Sequence, residues 1–235
     1  ETADALQRIY AKGSLSFSGV PDIGDSLLRL ERGGCLQIPE LLRIGSLLSA
    51  VLRARAYGCS GEHDRELVED SLSERFELLE EMKSEAHEIN RCILSEEEIA
   101  DNASPALADI RRKIKVQESK VRDQLAKYTR NTDMSKYLQD NIITMRNGRY
   151  VIPVKSEYRS EVPGLVHDTS STGQTIFVEP MAVVDANNRL RELASMEKAE
   201  IEKILEDLTF GVKKERTRIE SNISIVSCID LACAK

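Results

Sequence analysis

The chain has 235 residues, of which 41% are apolar, 31% charged and only 4% aromatic, with no Trp. Its net charge of −7 argues against a domain that simply coats nucleic acid, and so little aromatic side chain argues against a dense aromatic-lined pocket. The composition suits long amphipathic helices of Leu, Ile, Ala, Glu, Lys and Arg.

Residues 1–60 read as short helices punctuated by Gly13, Gly19, Pro21, Gly33, Gly34 and Pro39. Between the breaks, Ile23, Leu27, Leu28 and Leu30 recur at helical spacing, as do Leu41, Leu42, Ile44, Leu47, Leu48, Val51 and Leu52. Pro39 before Glu40 marks a helix start. Residues 64–92 continue as an acidic amphipathic helix with Leu67, Leu72, Phe76, Leu79 and Met82 on its apolar face. The run Glu96-Glu97-Glu98 reads as a solvated first helical turn rather than a cation site, because successive carboxylates on a helix point in different directions.

The strongest helix signal starts at Ser104-Pro105, an N-cap followed by a first-turn proline. Leu107, Ile110, Ile114, Gln117, Val121, Leu125 and Tyr128 then form a heptad-like stripe. A second stripe, Leu190, Leu193, Glu197, Ile201, Ile204, Leu208 and Val212, predicts an antiparallel coiled-coil partner; each stripe simply facing a core is compatible with this. Between them the period changes. Tyr150–Val154, Gly164–His167 and Thr175–Val178 are β-branched or aromatic runs separated by polar turns, which predicts a small antiparallel sheet closed by Pro180.

The predicted fold is mainly α: a helical body with a long antiparallel coiled-coil lever capped by a small antiparallel β tip. The expected organisation is a helical core over 1–98, a rising helix over 99–140, the tip over 141–180 and a descending helix over 181–235. The chain opens in mid-pattern and stops inside an apolar helical stretch, so a longer parent chain is expected.

Charge is distributed unevenly. Residues 61–102 hold fifteen acids against four bases, a net of −11, whereas residues 105–139 hold nine bases against four acids, a net of +5. Lys and Arg along the rising helix either track a phosphate backbone or pair with Glu197, Glu200, Glu202 and Glu206 of the return helix; charge alone leaves both open. At the tip, Arg146, Arg149, Lys155 and Arg159 are balanced by Glu157, Glu161, Asp168 and Glu179.

Catalytic signatures are missing. No Gly-x-x-x-x-Gly-Lys-Ser/Thr loop, Gly-x-Ser-x-Gly, His-Glu-x-x-His or calcium-loop pattern occurs. His63-Asp64 falls in an acidic stretch, and His167-Asp168 ends a predicted strand, where hydrogen bonding within the tip is expected. Cys35, Cys59, Cys92, Cys228 and Cys233 form no CxxC pair and read as idle thiols of a reducing cytosol. No apolar run is long enough for a bilayer, so a cytoplasmic location without membrane contact is expected.

The stretch 142–180, IITMRNGRYVIPVKSEYRSEVPGLVHDTSSTGQTIFVEP, resembles the lever-and-clamp region of the second bacterial branch of the MutS family. So do IADNASPALADIRRKI (99–114), MAVVDANNRLREL (181–193) and the opening ETADALQRI. The resemblance covers essentially the whole chain. It implies a homodimeric ATPase whose nucleotide domain, with ATP and Mg, follows the lever, and in many members a C-terminal nuclease-like domain. It also implies work on branched or duplex DNA in recombination, or on collided ribosomes and their rRNA. No catalytic residue falls within these 235 positions on that reading. From charge and position, Arg146, Arg149, Lys155 and Arg159 at the tip and Lys113, Lys120 and Lys127 on the rising helix are the expected phosphate contacts. The alternative is a mechanical lever that docks protein surfaces without touching nucleic acid.

Overall fold

The computed structural model describes residues 1–17, 19–59 and 70–234. Within them the chain is mainly helical, with two small antiparallel sheets. His63, Asp64 and Leu67, assigned above to an acidic exposed stretch and a helix face, lie outside the described residues. The chain divides into two compact units, residues 1–103 with 201–235 and residues 104–200.

In the first unit α1 (Thr2–Lys12), α2 (Gly24–Glu31), α3 (Ile38–Cys59), α4 (Ser73–Leu78) and α5 (Lys83–Cys92) precede a hairpin of β1 (Ile93–Ser95) and β2 (Glu98–Ile99); α9 (Arg216–Cys233) returns to complete it. The stripe read from sequence on α3 is the buried centre: Leu41, Ile44, Leu47, Leu48 and Val51 are all nearly inaccessible. The predicted helix over 64–92 is broken. Leu79 is extended between α4 and α5, although Leu72, Phe76, Leu79 and Met82 are all buried as expected. The broken backbone is matched by Asn222 of α9, whose amide accepts from Glu80 N and donates to Glu80 O, both at 2.9 Å. Glu96 to Glu98 do not open a helix. They form the turn and second strand of the β1–β2 hairpin, which pairs Ile93 with Ile99 and so buries both isoleucines.

The second unit begins with α6 (Pro105–Thr129). Ser104 caps it as expected, accepting from Leu107 N at 3.0 Å, with Pro105 in the first turn. After α7 (Thr132–Ser135) come β3 (Thr144–Arg146), β4 (Arg149–Lys155), β5 (Gly164–Thr169) and β6 (Thr175–Pro180), in sheet order β3-β4-β6-β5. The three strands read from sequence are present. The short β3 is the addition, joined to β4 by Asn147-Gly148, both at positive φ, in the two-residue turn that suits the twist of a hairpin. Gly164 is required by close approach: a Cβ there would stand 2.2 Å from the carbonyl oxygen of Glu179.

Val121 and Leu125 of α6, with Leu190 of α8 (Val184–Lys214), bury against Tyr150, Ile152, Val154, Ile176 and Val178 of the sheet. Part of each stripe therefore faces a helix-on-sheet core. Alongside this core, Ser104 meets Glu200 at 2.7 Å, Arg111 meets Glu197 at 2.7 Å and Gln117 reaches Ala186 O at 3.5 Å. Residue numbers rise on α6 as they fall on α8, so within this unit the two helices run antiparallel.

Candidate nucleic-acid interface

The sheet is organised around a carboxylate. Glu179, on β6, is fully buried. It receives Arg149 Nη1 (2.8 and 3.1 Å) and Asn187 Nδ2 (2.7 Å), and it lies 2.5 Å from His167 Nε2. An isolated carboxylate in such a place would be untenable; three hydrogen-bonding partners, one of them the Arg149 guanidinium, make it tolerable. Asn187 has a second task. At Tyr150 the neighbouring strand would offer Pro180, which has no N–H, and the Asn187 side chain substitutes by accepting from Tyr150 N (3.2 Å) and donating to Tyr150 O (3.0 Å). His167 thus has the hydrogen-bonding role expected of it.

This arrangement sorts the sequence-derived cations. Arg149 is committed to Glu179 and to Asn188 (2.7 Å), with only 13% of its side chain exposed. Arg159 donates to the carbonyls of Val162 (3.2 Å) and Gly164 (2.7 Å), and Lys155 to that of Lys136 (3.0 Å). These three hold the unit together. Arg146 pairs with Asp168 at 3.2 Å and stays half exposed. The tip cations are consequently not a converging cluster of open charges.

The rising helix differs. Arg112, Lys113, Val116, Gln117 and Lys120 of α6 and Arg189 and Leu193 of α8 line an open groove of about 510 Å³ whose walls carry four cations and no acid. Two of the sequence-derived residues, Lys113 and Lys120, are in it. Lys127 is exposed on the same helix but is not among the lining residues. Arg112 and Arg189 were missed. Arg112, Val116 and Lys120 share a helix face at four-residue spacing, a signal that could have found the first; the choice of Arg189 depends on how the sheet core rotates α8.

The groove cations are only loosely held. Arg112 and Lys113 (both 2.5 Å) share Asp109 one turn earlier, and Arg189 meets Glu192 at 2.7 Å. Lys113, then Arg112, hold the Asp109 carboxyl below the usual range through hydrogen bonds, but all these pairs are exposed and local to one helix, where such contacts contribute little. The expected flank pairing is partly present, in Arg111 with Glu197.

Among the described residues no group of three or more His, Cys, Asp or Glu could hold a metal ion. Burial pushes the Cys92 thiol up to about 11, away from a reactive thiolate. No described helix is long and apolar enough to cross a membrane.

No family profile matches the chain. Individual proteins do. Over its whole length the chain is 50% identical to the endonuclease MutS2 of Lachnoclostridium phytofermentans, 47% to that of Agathobacter rectalis and 46% to that of Acetivibrio thermocellus. It spans about 30% of the length of each. The chain is therefore a MutS2 segment, and no nucleotide-binding loop pattern occurs within its own sequence.

Proposed function

We propose that this region is a non-catalytic lever and clamp that grips the phosphate backbone of nucleic acid, with α6 and α8 as the two arms of the lever. The observation that carries the reading is the acid-free groove lined by Arg112, Lys113, Lys120 and Arg189. Cations at helical spacing beside an apolar floor are suited to following a backbone without reading sequence. Their weak intrahelical partners are readily exchanged for phosphates. In the parent protein, ATP and Mg in a separate nucleotide domain of a homodimer would drive the arms. The relatives' name, endonuclease, agrees with a nucleic-acid substrate for the whole molecule. Branched DNA and the RNA of a collided ribosome present the same phosphate chemistry to the groove.

A salt titration tests this. Binding of the chain to a labelled 20-base-pair DNA duplex and to an RNA hairpin should weaken with salt, log affinity falling about 0.9 per log unit for each phosphate neutralised. Lys120→Ala and Arg189→Ala should each flatten that slope by about 1. A slope that neither substitution changes would remove the groove from the account. Competition between ribosomes and branched DNA then separates the two partners.

A second reading has its own support. Because Arg149, Lys155 and Arg159 are bonded to protein groups, the tip itself could dock against a protein surface as part of a mechanical lever. Salt-independent attachment to a partner would favour it.

A further inference from the structure

The proposed groove contacts phosphates and leaves one cation of the sheet unexplained. Arg146 ends β3, and its guanidinium carbon lies 4.1 Å from the centroid of the Phe177 ring on β6, within stacking range. Three further contacts hold that guanidinium: Nε to Asp168 (3.2 Å), and Nη1 to Met145 O (2.9 Å) and to Thr144 Oγ1 (3.4 Å). The neighbouring Asn147 donates from Nδ2 to His167 O at 3.2 Å, tying the β3–β4 turn to β5. The planar group is thus fixed over an aromatic ring before any ligand arrives. Yet 38% of the Arg146 side chain and 47% of Asp168 remain exposed.

An exposed ion pair adds little, and a Lys would satisfy Asp168 as well. What a Lys could not supply is a flat, delocalised surface. Aromatic rings and Arg guanidinium planes are the two surfaces on which proteins stack splayed-out bases, and here one backs the other. Asp168, beside the plane, adds acceptors for the N–H groups on a base edge.

We propose that Arg146, backed by Phe177 and flanked by Asp168, is a stacking platform for an unpaired nucleobase. It would let the region prefer looped, branched or single-stranded nucleic acid over continuous duplex, a selectivity that a cation-lined groove contacting only phosphates cannot provide. The inference rests on the nucleic-acid reading above, since a base reaches the platform only as part of a bound strand.

The test is a cycle of two substitutions, one in the protein and one in the probe. The probes are a DNA hairpin with a four-base loop, the same hairpin with abasic loop positions, and its stem as a blunt duplex. Wild-type chain should bind the looped hairpin about tenfold more tightly than the abasic one, as expected from stacking of one base. Arg146→Lys keeps the charge and should abolish that difference while leaving duplex affinity within about twofold. Phe177→Leu should act in the same direction, with circular dichroism confirming a folded chain. If wild-type chain binds all three probes equally, or Arg146→Lys weakens all three alike, the platform is wrong and the groove survives. If wild-type chain binds none of them at low salt, the nucleic-acid reading itself falls.

Discussion

Both compact units contain a stretch of backbone that secondary structure leaves unpaired, and both repair it with an asparagine. In the helical unit Asn222 pairs with both the N–H and the carbonyl of Glu80, where the chain is extended between α4 and α5. In the sheet unit Asn187 does the same for Tyr150, where Pro180 cannot. Each amide is almost inaccessible, at 0% and 1% exposure. The difference lies in what the second amide hydrogen does. The spare hydrogen of Asn187 goes to the buried Glu179, so one side chain both completes a strand and anchors a charge. Among the described residues Asn222 anchors no such charge; the nearby Glu80 carboxylate is met at the surface by Arg218. The lesson is that an amide side chain can stand in for a missing strand, and that its importance scales with what else depends on it.

The buried charges offer the sharpest test of that comparison. Arg8 and Asp70 form an ion pair with both side chains about 5% exposed, and Glu179 with Arg149 is the counterpart in the sheet unit. Removing one partner leaves the other buried and uncompensated, so Asp70→Ala and Glu179→Ala should each cost about 3–5 kcal/mol. Urea denaturation followed by circular dichroism measures both. A loss under 1 kcal/mol for Glu179→Ala would mean that water enters the network.

The helical pair also has a pH signature. Burial pushes the Asp70 carboxyl up, but hydrogen bonds from Arg8, Leu72 N and Ser73 with the Arg8 charge outweigh it and hold it below the usual range. A depressed carboxyl binds its proton more weakly in the folded state, so its contribution is complete above the ordinary carboxylate range and is lost as pH falls through and below it. Asp70→Ala should therefore be less acid-sensitive than wild type, even though it is less stable at neutral pH.

Smaller effects separate the asparagines. Asn222→Ala leaves both the N–H and the carbonyl of Glu80 without this partner and should cost about 1–3 kcal/mol. Asn187→Ala should cost more than Asn222→Ala, because Glu179 loses a donor as well. Equal losses would show that Arg149 and His167 alone suffice for the carboxylate. The smallest effect is expected at Ser104, whose hydroxyl caps α6; Ser104→Ala should lower stability by about 1 kcal/mol, read as a shift in thermal midpoint.

Legibility from sequence varied with the range of the interactions. The cap at Ser104 and the β6 run Thr175–Val178 were evident because they depend on neighbouring residues. So does the paired Asn147-Gly148, a two-residue turn signal between β3 and β4. The Glu96–Glu98 stretch misleads, because its charges suggest a helical first turn while the hairpin is held by Ile93 against Ile99. The break between α4 and α5 was hidden for another reason. Its apolar spacing continues through Leu79 and Met82, and the groups that hold the extended backbone come from distant positions: Asn222 at Glu80, Arg55 at the Leu79 carbonyl and Arg218 at the Glu81 carbonyl.

The candidate interface divides in the same way. Lys113 and Lys120, which line the groove, lie seven residues apart on one helix, a spacing that can be counted along the chain. Arg189 and the Arg146–Phe177 contact depend on which surfaces the core brings together, and no spacing encodes that. What the sequence determined by itself was local: helix and strand periods, the Ser104 cap, the uneven charge and the resemblance carried by residues 142–180. Only the tertiary structure decided which cations stay open and which are bound within the protein. Burial of Glu179 claims Arg149, the carbonyls near β5 claim Arg159, and the sheet core turns α8 so that Arg189 faces the groove. Side chains of equal charge are separated by desolvation and partner geometry, and those are properties of the packed chain.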